Sequence, residues 1–114
     1  MVDVRRGDIW WAELGDPQQE GLPAFRRPVV VVQSNDLNES AIPTVVVVHC
    51  TTNLERAGIP VNVRLRKGPL PRASVANVAQ PYLLSKSRLR ERAGRARPDE
   101  LQAIDAGLRR VLAL

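Results

Sequence analysis

The chain of 114 residues is 44% hydrophobic and 25% charged, which excludes intrinsic disorder and collagen-like order and supplies enough apolar surface for one buried core. Seventeen basic residues against twelve acidic ones give a formal charge of +5, which points to a polyanionic partner. A single domain over residues 1–114 is expected from the length.

Met1 to Asp8 carry charges where a secretory signal needs its apolar run, and no later stretch reaches the roughly 20 apolar residues that cross a bilayer. A cytoplasmic protein without a membrane partner is expected. Cys50 is the single cysteine, so neither an internal disulfide nor a cysteine-based zinc site can be assembled.

In chain order, Ile9 to Leu14 reads as a strand that runs into a turn region rich in glycine and proline. Pro28 to Gln33 and Thr44 to Thr51 are continuous valine-rich runs, as expected of central strands covered on both faces, with the polar segment Ser34 to Ser40 between them. Shorter strands are expected at Pro60 to Leu65 and Ser74 to Gln80, joined by a turn from Arg66 to Pro71. Ser85 suits the cap of a short helix from Lys86 to Arg90.

From Pro98 the period changes. Leu101, Ile104, Leu108, Val111 and Leu112 recur at helical spacing, Asp99 and Glu100 suit the positive end of the helix dipole, and Arg109 and Arg110 suit its last turn. Arg97 is a poor cap and Gly107 weakens the interior, so this helix depends on docking against the strands. Five short strands with local turns and a terminal helix describe a mainly β domain, a small curled sheet or barrel.

The basic residues cluster. Lys86, Arg88, Arg90, Arg92, Arg95 and Arg97 fall within a stretch that only Glu91 offsets, and all basic residues but Lys67 and Lys86 are arginine, whose planar fork matches phosphate oxygens. His49 is the sole histidine, which excludes a two-histidine acid–base pair within one chain and a histidine-rich metal site; it reads as a strand residue with a local hydrogen bond. No phosphate-binding glycine loop or serine nucleophile elbow is present. No metal and no cofactor are expected.

Polar residues remain at strand ends. Pro28 forces Arg27 into an extended conformation at the mouth of the first valine strand. Alternation puts Thr51 on the face of Val45, Val47 and His49, so pairing of the valine strands brings Arg27 and Thr51 to one end of the sheet. The same rule groups Ser74, Ala76, Val78 and Gln80. Of the adjacent Trp10 and Trp11, one is expected to face the core, and the other to contact a base, a dimer partner or an inhibitor.

These blocks, in this order, resemble a known family. Arg6-Gly7-Asp8-Ile9-Trp10-Trp11, Arg27-Pro28 leading to Gln33-Ser34, Thr44 to Val48 leading to Thr51-Thr52-Asn53-Leu54, and Leu70 to Gln80 are similar to the MazF/PemK toxins of bacterial type II toxin-antitoxin systems. Lys86-Ser87-Arg88-Leu89 and the final helix fit as well, so the resemblance runs from about residue 5 onward. It implies an SH3-like barrel of the CcdB/MazF kind, a homodimer, and an endoribonuclease that cuts single-stranded RNA until a cognate antitoxin restrains it.

The family's catalytic arginine falls on Arg27 and its catalytic threonine on Thr51, with Glu20 of the first loop as candidate base. Gln18, Gln19, Phe25, Arg26, Ser74, Asn77, Gln80 and Arg88 are the corresponding RNA contacts. Ala73 stands where the family often has aspartate, and the first loop differs in length from the usual pattern. The expected reaction is attack of a 2'-hydroxyl on the adjacent phosphodiester, which requires neither metal nor protein nucleophile and leaves a 2',3'-cyclic phosphate and a 5'-hydroxyl. Arginine keeps its proton, so Arg27 suits charge stabilisation rather than simple base catalysis.

The antitoxin is expected to offer an acidic, flexible segment that competes with RNA, and DNA to be a partner only through the antitoxin. Two other readings stand beside this one. A gyrase-binding toxin of the same fold would end in Trp-Gly-Ile, whereas this chain ends Val111-Leu112-Ala113-Leu114. A basic RNA-binding module without cleavage leaves the joint presence of Arg27, Thr51, Ser74 and Gln80 unexplained.

Overall fold

Valine's branched side chain favours extended backbone and packs well on a pleated surface, and the two valine runs form the centre of the molecule. In the computed structural model, which describes residues 3–14 and 26–114, β1 (Asp8–Glu13) and β2 (Arg26–Val31) precede a single turn of helix, α1 (Asn35–Asn38). Next come β3 (Thr44–Thr51), a 3-10 turn at Leu54–Gly58, β4 (Val63–Leu65), β5 (Ser74–Ala76) and β6 (Tyr82–Ser85). A second 3-10 turn at Lys86–Arg88 leads into β7 (Leu89–Arg95), and α2 (Pro98–Leu112) closes the chain.

The strands pair antiparallel in the order β4-β5-β3-β2-β1-β7, and β6 also pairs with β3. Along one edge of β3 the partner is β2; along the other, residues 44–47 pair with β6 and residues 50–51 with β5. One strand thus serves two sheets, which curls the whole into an open barrel. Val29, Val31, Val45 and Val47 pack with Trp10, Ala12, Leu84 and Leu89 in one core cluster. Val30, Val32, Val48 and Cys50 pack with Ile9, Leu65, Val78 and Ile104 in the other. Continuous rather than alternating valine follows from this double coverage.

Because both faces of β1 are covered, both tryptophans meet core residues: Trp10 is buried in one cluster and Trp11 packs against the other. The expectation that one of the pair faces away assumed a single core.

Several expected elements are corrected. There are seven strands rather than five among the described residues. β6 was missed because four residues after a proline are too few for a periodic signal, and β7 because Leu-Arg-Glu-Arg-Ala-Gly-Arg has no apolar alternation. The strand expected from Ser74 to Gln80 stops at Ala76, where the chain turns; Gln80 therefore does not continue the face of Ser74. The helix expected from Lys86 to Arg90 is a 3-10 turn of three residues, with the Ser85 side chain accepting from the Ser87 N–H.

The basic stretch is largely spent on the fold rather than left as a free patch. Asp8 is buried and its carboxylate accepts from the Arg5 N–H at 2.9 Å and from the Arg95 guanidinium at 2.9 Å, with the Arg92 Nε at 3.3 Å. Arg90 pairs with Glu13, and the buried Lys86 Nζ donates to the carbonyls of Asn38 and Ser40. These contacts stitch β7 to β1 and hold the turn after α1.

The weak cap at Arg97 is remedied from within α2. The Glu100 carboxylate accepts from the backbone N–H of Arg97 at 2.9 Å and from that of Arg66 at 2.8 Å, tying the helix start to the segment after β4. Ile104 is fully buried and Leu101 and Leu108 pack against the core, but Val111 and Leu112 are exposed, so the apolar stripe outruns the surface it docks on.

Gly107 faces that docking surface at close range. A Cβ there would lie 2.8 Å from the Val61 carbonyl oxygen and 2.9 Å from Val78 Cγ1. Gly107→Ala is therefore expected to lower stability by about 1–3 kcal/mol despite the better helix propensity of alanine. A melting temperature unchanged or raised by circular dichroism would show that α2 docks differently. Asp8→Ala, which leaves the Arg5 and Trp10 N–H groups without their acceptor, is expected to cost about 1–3 kcal/mol, against little change for Glu13→Ala at the exposed end of β1, as read from denaturant unfolding.

Candidate active site

The register between β2 and β3 pairs Val29 with His49, Val30 with Val48 and Val31 with Val47. Continued by two residues, it sets Arg27 opposite Thr51. Both residues line a cleft of about 330 Å³, whose wall also includes Trp11, Arg26, Pro28, Cys50, Thr52, Leu70, Pro71, Arg72 and Ser74. Strand parity separates the lining into two sets. Pro28, Cys50 and Thr52 point with one core cluster, whereas Arg27 and Thr51 share the face of Val29, Val47 and His49 and border the cleft from the other side.

The Thr51 hydroxyl accepts from the Asn53 N–H at 3.2 Å, and the Asn53 side chain accepts from the Glu55 N–H, capping the 3-10 turn. A hydroxyl that accepts from the backbone keeps its own proton to give away. Thr51 is thus fixed in position and presents a donor at the end of β3, beside Arg27. Among the described residues no carboxylate or carbonyl holds the Arg27 guanidinium, and the cleft lining contains three arginines and no acid. Arg26 is paired with Glu91 at 3.1 Å. The unspent positive charge at this end of the sheet belongs to Arg27 and Arg72.

Cys50 lines the cleft but is almost wholly buried, and its thiol is pushed up to about 12, by burial first and by Glu100 second. It is a protonated packing residue and not a nucleophile. The His49 imidazole is half-buried and titrates below its ordinary value, because burial disfavours its charged form and the Arg27 and Arg56 guanidiniums repel it.

The other residues expected at the site divide. Ser74 lines the cleft, yet its hydroxyl donates to the Arg72 carbonyl at 3.1 Å, the partner it finds in place of the missing aspartate at Ala73. Asn77 donates to the Gln80 carboxamide oxygen at 3.0 Å in the turn after β5, and neither borders the cleft. Arg88 lies exposed in the second 3-10 turn, also away from it. Gln18, Gln19, Glu20 and Phe25 lie outside the described residues. Sequence reasoning did not reach Thr52 and Arg72; the latter comes to the cleft through the pairing of Thr51 with Val75, a long-range contact with no local signal.

The family described as PemK-like, MazF-like toxin of type II toxin-antitoxin system matches residues 5–112. The endoribonuclease MazF6 of Mycobacterium tuberculosis H37Rv is 42% identical over 113 residues, covering 97% of this chain and 98% of that one. The endoribonuclease MazF2 of Mycobacterium bovis shows the same identity and coverage. Among solved structures, MazF from Deinococcus radiodurans superposes with a TM-score of 0.80 at 22% identity, covering all of both chains. A mycobacterial endoribonuclease in complex with its cognate antitoxin superposes with a TM-score of 0.74 at 24% identity, covering 100% of this chain and 97% of that one. At those identities the structures establish the fold, that of MazF. Together with the match along nearly the whole sequence, they leave one assignment: the chain belongs to the PemK-like, MazF-like toxins of type II toxin-antitoxin systems.

Proposed function

We propose that the protein is the toxin of a toxin-antitoxin pair, a metal-independent endoribonuclease that cleaves single-stranded messenger RNA at specific sequences and so arrests translation and growth. The observation that supports this reading is that Arg27 and Thr51, set opposite each other when the β2–β3 register is continued, both line a cleft whose described lining has no acid.

RNA carries its own nucleophile. Attack by the 2'-oxygen on phosphorus puts extra charge on the phosphoryl oxygens, and the enzyme's task is to hold the in-line geometry and to stabilise that charge. The Arg27 guanidinium offers two parallel donors to those oxygens and Thr51 offers its free hydroxyl proton. A positioned donor of this kind is worth about 3 kcal/mol of barrier. Expulsion of the 5'-oxygen leaves a 2',3'-cyclic phosphate and a 5'-hydroxyl. Arg72 at the cleft wall suits a flanking phosphate, Arg26 can add a second contact only by exchanging its exposed pair with Glu91, and Trp11 offers a ring on which an unpaired base stacks. Gln18, Gln19 and Phe25 of the first loop, with Ser74, Asn77, Gln80 and Arg88, complete the proposed RNA contacts, and Glu20 of the same loop is a candidate base.

The active form is a homodimer in the cytoplasm, and a cognate antitoxin with an acidic, flexible segment silences it by occupying the arginine-lined groove. DNA enters only through that antitoxin.

RNA cleavage by the purified protein is expected to proceed in chelator, since 2'-hydroxyl attack needs no Lewis acid, and to stop when hydrogen replaces the 2'-hydroxyl at the scissile nucleotide while binding persists. Cleavage of that deoxy substrate would overturn the mechanism. Arg27→Lys is expected to lower the single-turnover rate by about 100-fold, because an ammonium cannot reproduce the two-pronged contact. A rate near that of the natural protein would remove the bidentate contact from the account.

A further inference from the structure

His49 does not fit the role of a strand residue satisfied by a local hydrogen bond. Among the described residues neither of its ring nitrogens has a hydrogen-bond partner, and its only ring contact is the edge of Tyr82, with centroids 6.2 Å apart. Neither nitrogen is a buried atom left without a partner, so both are open to solvent and to a ligand. His49 is two residues before Thr51 on the same face of β3, about 7 Å along the strand. Arg27 is its diagonal neighbour across the β2–β3 pair, about 7–8 Å away at the backbone. His49 does not itself line the cleft, but it shares the face of Arg27 and Thr51 at the cleft's edge, and those separations let the three side chains reach one phosphodiester that lies across that edge.

Resting on the reading of this site as an RNA-cleaving one, we propose that His49 is the proton acceptor of the cleavage step. As the 2'-oxygen bonds to phosphorus, its proton passes to a ring nitrogen of His49. The bond from phosphorus to the 5'-oxygen then breaks, its electron pair stays on that oxygen, and a water molecule supplies the proton that completes the 5'-hydroxyl. The hydroxide so formed takes the proton back from the imidazolium, which restores the neutral ring.

The surroundings keep that ring in its accepting form. Arg27 from β2 and Arg56 from the 3-10 turn after β3 oppose its protonation, burial acts in the same direction more strongly, and Tyr82 from β6 stays uncharged, its phenol pushed up to about 12. A proton acceptor whose pKa lies below neutrality is available across the physiological range and gives way only in acid.

The test is a pH–rate profile of single-turnover RNA cleavage for the natural protein, His49→Gln and His49→Ala. The natural protein is expected to show a rate that rises with pH on an acid limb and levels off before pH 7. His49→Gln is expected to be slower by about 100-fold or more and to lose that limb, while binding the 2'-deoxy substrate with unchanged affinity and melting as the natural protein does. In His49→Ala, added imidazole is expected to restore at least tenfold of the lost rate. A His49→Gln protein that cleaves within threefold of the natural rate and keeps the limb overturns the proposal, as does failure of imidazole to rescue the folded, RNA-binding alanine variant. A natural protein that cleaves RNA at no pH overturns this proposal together with the reading beneath it, a result distinct from the other two.

Discussion

The pairing of β2 with β3 is the constraint on which the rest of the structure depends. Its register sets Val29 against His49 and, two residues on, Arg27 against Thr51. A slip of one residue would turn every side chain of one strand to the other face. Here such a slip would send Arg27 and one set of valines to the opposite core. The valines alone do not prevent it, since one valine would replace another on either face; Gln33 does, its side chain donating to the Thr44 carbonyl at 3.3 Å and accepting from the Val46 N–H at 3.3 Å. The valine core and its polar anchor at Gln33 thus fix the relative position of two polar groups at the other end of the pair.

Arginine has two uses in the chain, and the structure separates them. Arg90, Arg92 and Arg95 of β7 are matched to Glu13 and Asp8, and Arg66 and Arg97 to Glu100, so their charge is committed to holding β7 and α2 in place. Arg27 and Arg72 stand at the cleft without a carboxylate among the described residues. A net positive charge alone would not have told these sets apart. An exposed ion pair contributes little to stability, but a guanidinium already matched to a carboxylate is also a poorer phosphate ligand. The electrostatic footprint for RNA is therefore narrower than the composition suggests.

The valine strands, the order of the central elements and the docked helix were legible in the sequence because burial leaves a periodic or continuous apolar trace. That Arg27 and Thr51 lie at one end of the sheet was legible for the same reason, since it follows from strand pairing and alternation. β7 was not, because its stability comes from charges on partner strands that no local window contains. The role of Gly107 was hidden as well: from sequence it weakens a helix, and only the approach of the Val61 carbonyl explains why a larger residue does not fit. His49 was read as structural because its neighbours in sequence are valines and cysteine. Its open nitrogens and its placement beside Arg27 depend on contacts from β2 and β6.

In the proposed reaction β2 and β3 deliver Arg27 and Thr51 to the same phosphodiester. A double-mutant cycle of Arg27→Ala and Thr51→Val, read as single-turnover cleavage rates with folding verified by circular dichroism, addresses it most directly. Two donors that act on one set of phosphoryl oxygens are coupled, so the double variant is expected to be scarcely slower than the worse single variant. Losses that multiply, with a coupling energy below about 0.5 kcal/mol, would contradict the account by showing that the two residues act at separate places.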